Sequence, residues 1–269
     1  MSGTVTFFIP LGIGSNWENN ELRYLLRSLE KNFQEDFKVV IYSDDKLDWI
    51  QNVDFSIVER QYPDHALNIH KGTRHYENYF SVLYKIYDFV NSDDCPEEFV
   101  YTYDDVLLVK KITSQGIINY PECKYDPKME IVYRRSKHGR TILKSFELTE
   151  GTHRYEHHLP MVYNRDRLLE MFSTFKFWEL DIPYALGTLY FNLYREDLTP
   201  LLIENNYKAG FEGFDGYIAC YKSDDNIKYN VSDKTWVNYN DTGLFWNPPQ
   251  FPLQKWMKDS FPYKSKFEK

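Results

Sequence analysis

Cysteine is scarce: Cys95, Cys123 and Cys220 are the three in 269 residues. Odd in number, far apart and without paired spacing, they point to neither a disulfide framework nor a structural zinc site, and they fit a reducing compartment. Positive charge is also short. The formal net charge is -8 at pH 7, which leaves no electrostatic footprint for nucleic acid or an anionic membrane and favours a small or neutral substrate. No apolar run approaches the roughly 18 residues of a membrane span, and no basic segment precedes an apolar stretch at the N-terminus. The expectation is a cytoplasmic chain without signal peptide or anchor. No P-loop sequence occurs, and Gly12-Ile13-Gly14 lacks the third glycine of a dinucleotide fingerprint, so nicotinamide cofactors are disfavoured. With no internal repeat and no low-complexity linker, one domain over 1–269 is the economical organisation.

Apolar and aromatic residues are plentiful, at 42% and 18%, enough for a full core. The stretch that organises the chain is Phe99-Val-Tyr-Thr-Tyr-Asp-Asp-Val-Leu-Leu-Val109. Its strand formers are interrupted once, by Asp104 and Asp105, so a buried strand ends near the acidic pair and resumes after it. Burying an unpaired carboxylate is costly. The pair therefore either faces a crevice at a strand's carboxyl end, holds a cation, or closes a hairpin.

Upstream, Thr4 to Leu11 is an apolar strand that stops at Pro10, and Leu22, Leu25, Leu26, Leu29 and Phe33 recur at helical spacing. Phe37 to Tyr42 is a second strand, nearly continuous in apolar character as a two-sided parallel sheet requires. It ends in Asp44-Asp45. Strand, helix and strand with an acidic close form the pattern of a nucleotide-binding unit. Asp44 or Asp45 either accepts from a base or ribose, or lies in a solvated loop. Asp54 to Glu59 alternates as a third strand, and Tyr79 to Tyr87 makes an apolar helix on which Lys85 is the lone cation. Arg74, in the basic loop before that helix, either binds phosphate with help from the helix dipole or is simply solvated.

Downstream, Glu130 to Arg135 reads as another strand followed by a basic loop, and Met161-Val-Tyr163 as a strand preceded by His157 and His158. One histidine of that pair either serves as metal ligand or acid/base group, or is filler. Leu168 to Phe175 and Pro183 to Tyr194 read as helices. Glu212 and Asp215 stand among glycines and aromatics in Gly210-Phe-Glu-Gly-Phe-Asp-Gly216, as a base or sugar-hydroxyl acceptor or as part of a plain turn. The tail shows little regular pattern and is expected to wrap the core.

In order, the strand ending Ile9-Pro10, the helix Glu21 to Lys31, the strand ending Asp44-Asp45 and the strand ending Tyr103-Asp104-Asp105 resemble a GT-A glycosyltransferase core. The resemblance covers about the first 110 residues. It implies an α/β fold, a Rossmann-type, mostly parallel sheet flanked by helices, with 1–110 as the nucleotide-sugar half and 111–269 as the acceptor half. It also implies a nucleotide-sugar donor, UDP favoured, contacted by Pro10, Gly12, Asp44, Asp45, Arg74 and Asp104. A divalent Mn2+ or Mg2+ would be held by Asp105 with Asp104 and His158, and Glu212, Asp215 or His157 would act on a glycan or other hydroxyl acceptor. Asn19 to Lys31, Asp104-Asp-Val106, His157-His-Leu-Pro-Met161 and Phe261 to Glu268 are similar to segments of the Stealth sugar-1-phosphate transferases. The first Stealth region is replaced here by Phe7 to Gly14. Sugar-phosphate transfer, and glycan binding without catalysis, are the alternatives that this reading keeps open.

Overall fold

A computed structural model of the chain describes residues 3–12, 20–63, 75–117, 123–124, 130–151, 153–155, 159–194, 235–238 and 252–269. Its centre is strand β1 (Val5–Leu11). Helix α1 (Asn20–Asn32) and strands β2 (Phe37–Ser43) and β3 (Asp54–Ile57) follow. Helix α2 (His75–Val90) then leads to β4 (Glu98–Tyr101) and β5 (Val106–Leu108). Beyond these come β6 (Cys123–Lys124), α3 (Glu130–Arg135), α4 (Lys137–Thr149), β7 (His153–Arg154) and β8 (Met161–Asn164). Helices α5 (Arg165–Thr174) and α6 (Leu186–Tyr194), strand β9 (Trp236–Asn238) and helix α7 (Pro252–Ser260) follow, with single 3-10 turns at Ser114–Gly116 and Phe177–Glu179. No helix among the described residues is long and apolar enough to cross a membrane.

The main sheet has the order β3-β2-β1-β4-β8. The first three neighbouring pairs are parallel and β4-β8 is antiparallel. Both faces of β1 are covered, which is why it is apolar throughout except for Thr6, itself buried. Phe8 stacks on Phe89 of α2 at 4.2 Å between ring centroids, while Phe7 meets Phe33 edge-on at 5.1 Å beside α1. Leu22, Leu25, Leu26 and Leu29 bury the inner face of α1. On the other side Phe80, Leu83 and Ile86 of α2 join Leu168, Met171 and Phe172 of α5 in one cluster. This is a helix-sheet-helix sandwich of the expected class.

Three expectations need correction. Strand β1 does not stop at Pro10; it continues to Leu11, paired with Ser43 of β2. Phe8 O accepts from Thr102 N, and Pro10 lies two residues on, on that same edge, where the described pairing with β4 has ended, so its missing N–H costs no ladder bond. Glu130 to Arg135 is helix α3 rather than a strand. Glu130 and Arg134 form an ion pair one helical turn apart, acid first and base last, as the helix dipole favours. The chain then turns directly into α4, capped by the Ser136 side chain. That corner is tight: a Cβ on Gly139 would lie 2.2 Å from Tyr133 O. The apolar segment near Pro183 becomes helical only at Leu186: Ala185 caps it, its carbonyl accepting from Leu189 N at 2.9 Å while its own N–H donates to Ser145 Oγ at 2.9 Å.

The tail holds helix α7 and then closes on α1. Glu268, with its side chain fully buried, receives two guanidinium hydrogen bonds from Arg27, each 2.7 Å, and one of 3.2 Å from Arg23.

Candidate active site

Three parallel strands run out toward one edge of the sheet: β1 to Leu11 and β2 to Ser43, which face each other, and β4 to Tyr101, opposite Phe8. The chain lays β2 and β3 on one side of β1 and β4 on the other. The order therefore reverses between β1 and β4, the place where open α/β sheets receive ligands. Both acidic pairs follow these strand ends, Asp44-Asp45 after β2 and Asp104-Asp105 after β4. The strands that lead into them, β2 and β4, have β1 between them and so are two strand spacings apart, roughly 10 Å. Gly12, just past β1, has no described residue beyond its chain neighbours within 4 Å of where a side chain would be.

Asp104 and Asp105 do not close a hairpin. Strand β4 belongs to the main sheet and β5 to a separate two-stranded sheet with β9. The pair marks the corner where the chain leaves one for the other. The corner is pinned from behind: Leu108 N donates to Ser28 Oγ at 3.0 Å and Leu108 O accepts from Asn32 Nδ2 at 2.6 Å, docking β5 on α1. Both aspartates are half-buried, and Oδ1 of Asp105 is shielded from solvent. Two such carboxylates offer hard oxygen donors of the kind magnesium and manganese prefer. Among the described residues no third histidine, cysteine or carboxylate joins them in a metal-binding group.

Asp44 is held in a different way. Lys85 is 1% exposed, and its ammonium donates to Asp44 Oδ1, to Leu11 O at 2.9 Å and to Ser81 Oγ at 3.4 Å. Arg60 donates to the other oxygen of Asp44 at 3.1 and 3.3 Å. Burial pulls the Lys85 ammonium below its ordinary pKa, against the opposing pull of the Asp44 carboxylate. The two cations fix Asp44 at the sheet edge, and Lys85 also ties the end of β1 to the end of β2. Asp45 is exposed, its backbone N–H donating to Ser43 Oγ at 3.2 Å.

Of the residues expected to act, Pro10, Gly12, Asp44, Asp45, Asp104 and Asp105 are thus gathered at one edge. Arg74, His157, His158, Glu212 and Asp215 lie outside the described residues. Sequence reasoning noticed Lys85 as the lone cation of its helix but missed its role, and missed Arg60 altogether. The signal for Lys85 was available: a lysine among the apolar residues Val82, Leu83, Ile86 and Tyr87 has to find a carboxylate.

No protein-family model matches the chain, and no curated protein matches it. Solved structures do. The bifunctional glycosyltransferase WbbM superposes with a TM-score of 0.53 at 12% identity, over 98% of this chain and 50% of that one. The chain has a glycosyltransferase fold. It spans half the length of WbbM. The galactosyltransferase LgtC, solved with donor and acceptor sugar analogues, gives a TM-score of 0.48 at 12% identity over 96% of this chain and 98% of that one. GlyE of Streptococcus pneumoniae TIGR4, also a glycosyltransferase, gives 0.43 at 10% identity over 97% of this chain and 61% of that one. The GT-A resemblance read from the strand ends agrees with this fold. The Stealth similarity is not among what these comparisons bring out.

Proposed function

We propose that the chain is a nucleotide-sugar-dependent glycosyltransferase that moves a sugar from its donor to a hydroxyl of a glycan or other acceptor, with Mn2+ or Mg2+ as cofactor. The observation that carries this reading is the placement of two acidic strand ends on either side of β1, at the ligand-binding edge of a fold shared with a glycosyltransferase.

In this reading Asp105 and Asp104 hold the divalent cation, with His158 as a further ligand. When bound, the metal neutralises charge on the departing diphosphate. Asp45, exposed and beside the fixed Asp44, accepts from the base or ribose, with UDP as the favoured nucleotide. Gly12 and Pro10 let the donor approach the end of β1 closely, and Arg74 meets a phosphate. Glu212, Asp215 or His157 takes the proton from the attacking hydroxyl if the anomeric centre inverts.

The direct test incubates the full chain with Mn2+ and each common nucleotide sugar in turn and identifies the nucleotide released. A nucleoside diphosphate is the expected product. A nucleoside monophosphate would instead mean sugar-phosphate transfer, and neither release nor a thermal shift from any nucleotide would leave a glycan-binding module.

A further inference from the structure

A second cluster of polar side chains lies outside the acidic edge, where the first turns of α2 and α4 meet strand β7. His138 is its hub. Its Nδ1 stands 3.1 Å from Tyr79 Oη, and its Nε2 stands 3.3 Å from Nη2 of Arg154. A guanidinium only donates, so Nε2 must accept and the ring proton sits on Nδ1, directed at Tyr79. The guanidinium carbon of Arg154 lies 5.9 Å from the Tyr133 ring, and that of Arg140 5.8 Å from the Tyr76 ring.

Arg140 is the informative member. It is half-buried, its Nε is shielded from solvent with no hydrogen-bond partner, and no carboxylate among the described residues forms an ion pair with it. What faces it is Tyr76, whose hydroxyl pKa is raised by burial and held back by the Arg140 charge. In the first turn of α4, Lys137, His138 and Arg140 thus place basic side chains, and no acid, at a helix end that favours an anion.

The cluster lies on the donor side of the sheet. Lys85, late in α2, already reaches the last residue of β1. Tyr79 and Tyr76 precede it by 6 and 9 residues, which sets them roughly 9 and 13 Å further along the helix, beyond the strand ends.

We propose that His138, Arg140 and Arg154 form a binding site for an oxyanion, a carboxylate or phosphate, carried by one of the two substrates. The planar guanidinium of Arg140 pairs with two oxygens at once, and Arg154 turns a donor from His138 to the same group. The inference rests on the transferase reading for the identity of the substrates, but not for the existence of the site.

The test is calorimetric binding of inorganic phosphate, glucuronate and UDP to the full-length wild type and to R140Q, with R140K as the charge-retaining control. Removing a charge-assisted pair should weaken the anion about tenfold or more, with R140K in between. Loss confined to glucuronate identifies an acidic acceptor as the source. A loss shared by phosphate and UDP identifies the donor's diphosphate. Equal affinities in wild type and R140Q, or no anion bound by the wild type, overturn the site. Should R140Q not fold, modification of wild-type Arg140 by phenylglyoxal, mapped by mass spectrometry, decides the same question: the anion protects Arg140, or the site is wrong. These readouts involve no turnover, so they are independent of the nucleotide-release test of the transferase reading.

Discussion

The ammonium of Lys85, buried in α2, joins the carboxylate of Asp44 at the end of β2 to the main-chain oxygen of Leu11 at the end of β1. One side chain thus braces two strand ends that the sheet already pairs, Leu11 opposite Ser43. Breaking a buried pair from one side leaves the other charge uncompensated, at a cost of about 3 kcal/mol or more. For Lys85→Met the loss should sit at the lower end, because Arg60 still holds Asp44. Asp44→Asn should cost about as much, since Lys85 keeps only neutral acceptors. Urea unfolding measures both. Restoration of most of the stability in the Lys85→Met, Asp44→Asn double variant would show that the pair, and not either residue alone, sets the cost.

Much of the fold was legible because apolar periodicity dictated it. Strands β1, β2 and β4 and helices α1, α2 and α5 stand where the runs of Phe, Val, Ile and Leu placed them. What local pattern failed to give depends on distant partners. Ile131, Val132 and Tyr133 have strand propensity, yet Glu130, Arg134 and the glycine that admits the Tyr133 backbone make the segment helical. The acidic strand ends were visible for the same reason as the strands: a carboxylate breaking an apolar run. The cations that hold Asp44 were not, since Lys85 is 41 positions away and Arg60 is 16. The oxyanion cluster joins His138 and Arg140 of α4 to Arg154 of β7, and nothing in the local pattern around Arg154 announces the meeting.

Asp105 tests the metal reading. Asp105→Asn keeps the volume of the side chain and removes one of two adjacent like charges, so the fold should hold, with a change in stability within about 1 kcal/mol. Turnover with Mn2+ should fall at least about a hundredfold, the scale of a lost metal ligand at a reaction that depends on charge neutralisation. Kinetics at several Mn2+ concentrations check it, and an unchanged rate would remove Asp105 from the metal.

Gly139 tests the corner that carries the oxyanion cluster. An added methyl would meet the main chain of Tyr133, at 2.2 Å from O and 2.5 Å from Cα. Backbone cannot step aside as a flexible side chain does, so α3 must move away from α4. Gly139→Ala should destabilise the chain by about 2 kcal/mol or more, against a gain of about 1 kcal/mol for alanine over glycine in a free helix. Circular dichroism melting reads the sign directly, and an increase in Tm would mean that the corner is looser than these distances require.

Glu268 fastens the tail to α1, and its charge makes the fastening depend on pH. Burial alone would raise its pKa, but the Arg27 hydrogen bonds, the Ser265 N–H at 3.0 Å and Arg23 together outweigh it, so the folded value lies below the ordinary 4.5. A depressed carboxylate binds fewer protons folded than unfolded near that value. Its contribution is therefore full above about pH 4.5 and is lost as the pH falls through the folded pKa. Glu268→Gln should cost about 2 kcal/mol at pH 7, because Arg27 and Arg23 keep a neutral acceptor in place of a charged one. The difference between wild type and variant should shrink as the pH is lowered from 5 toward 3. Urea unfolding across that range checks the slope, and a difference that stays constant with pH would mean that Glu268 holds the tail by shape and not by charge.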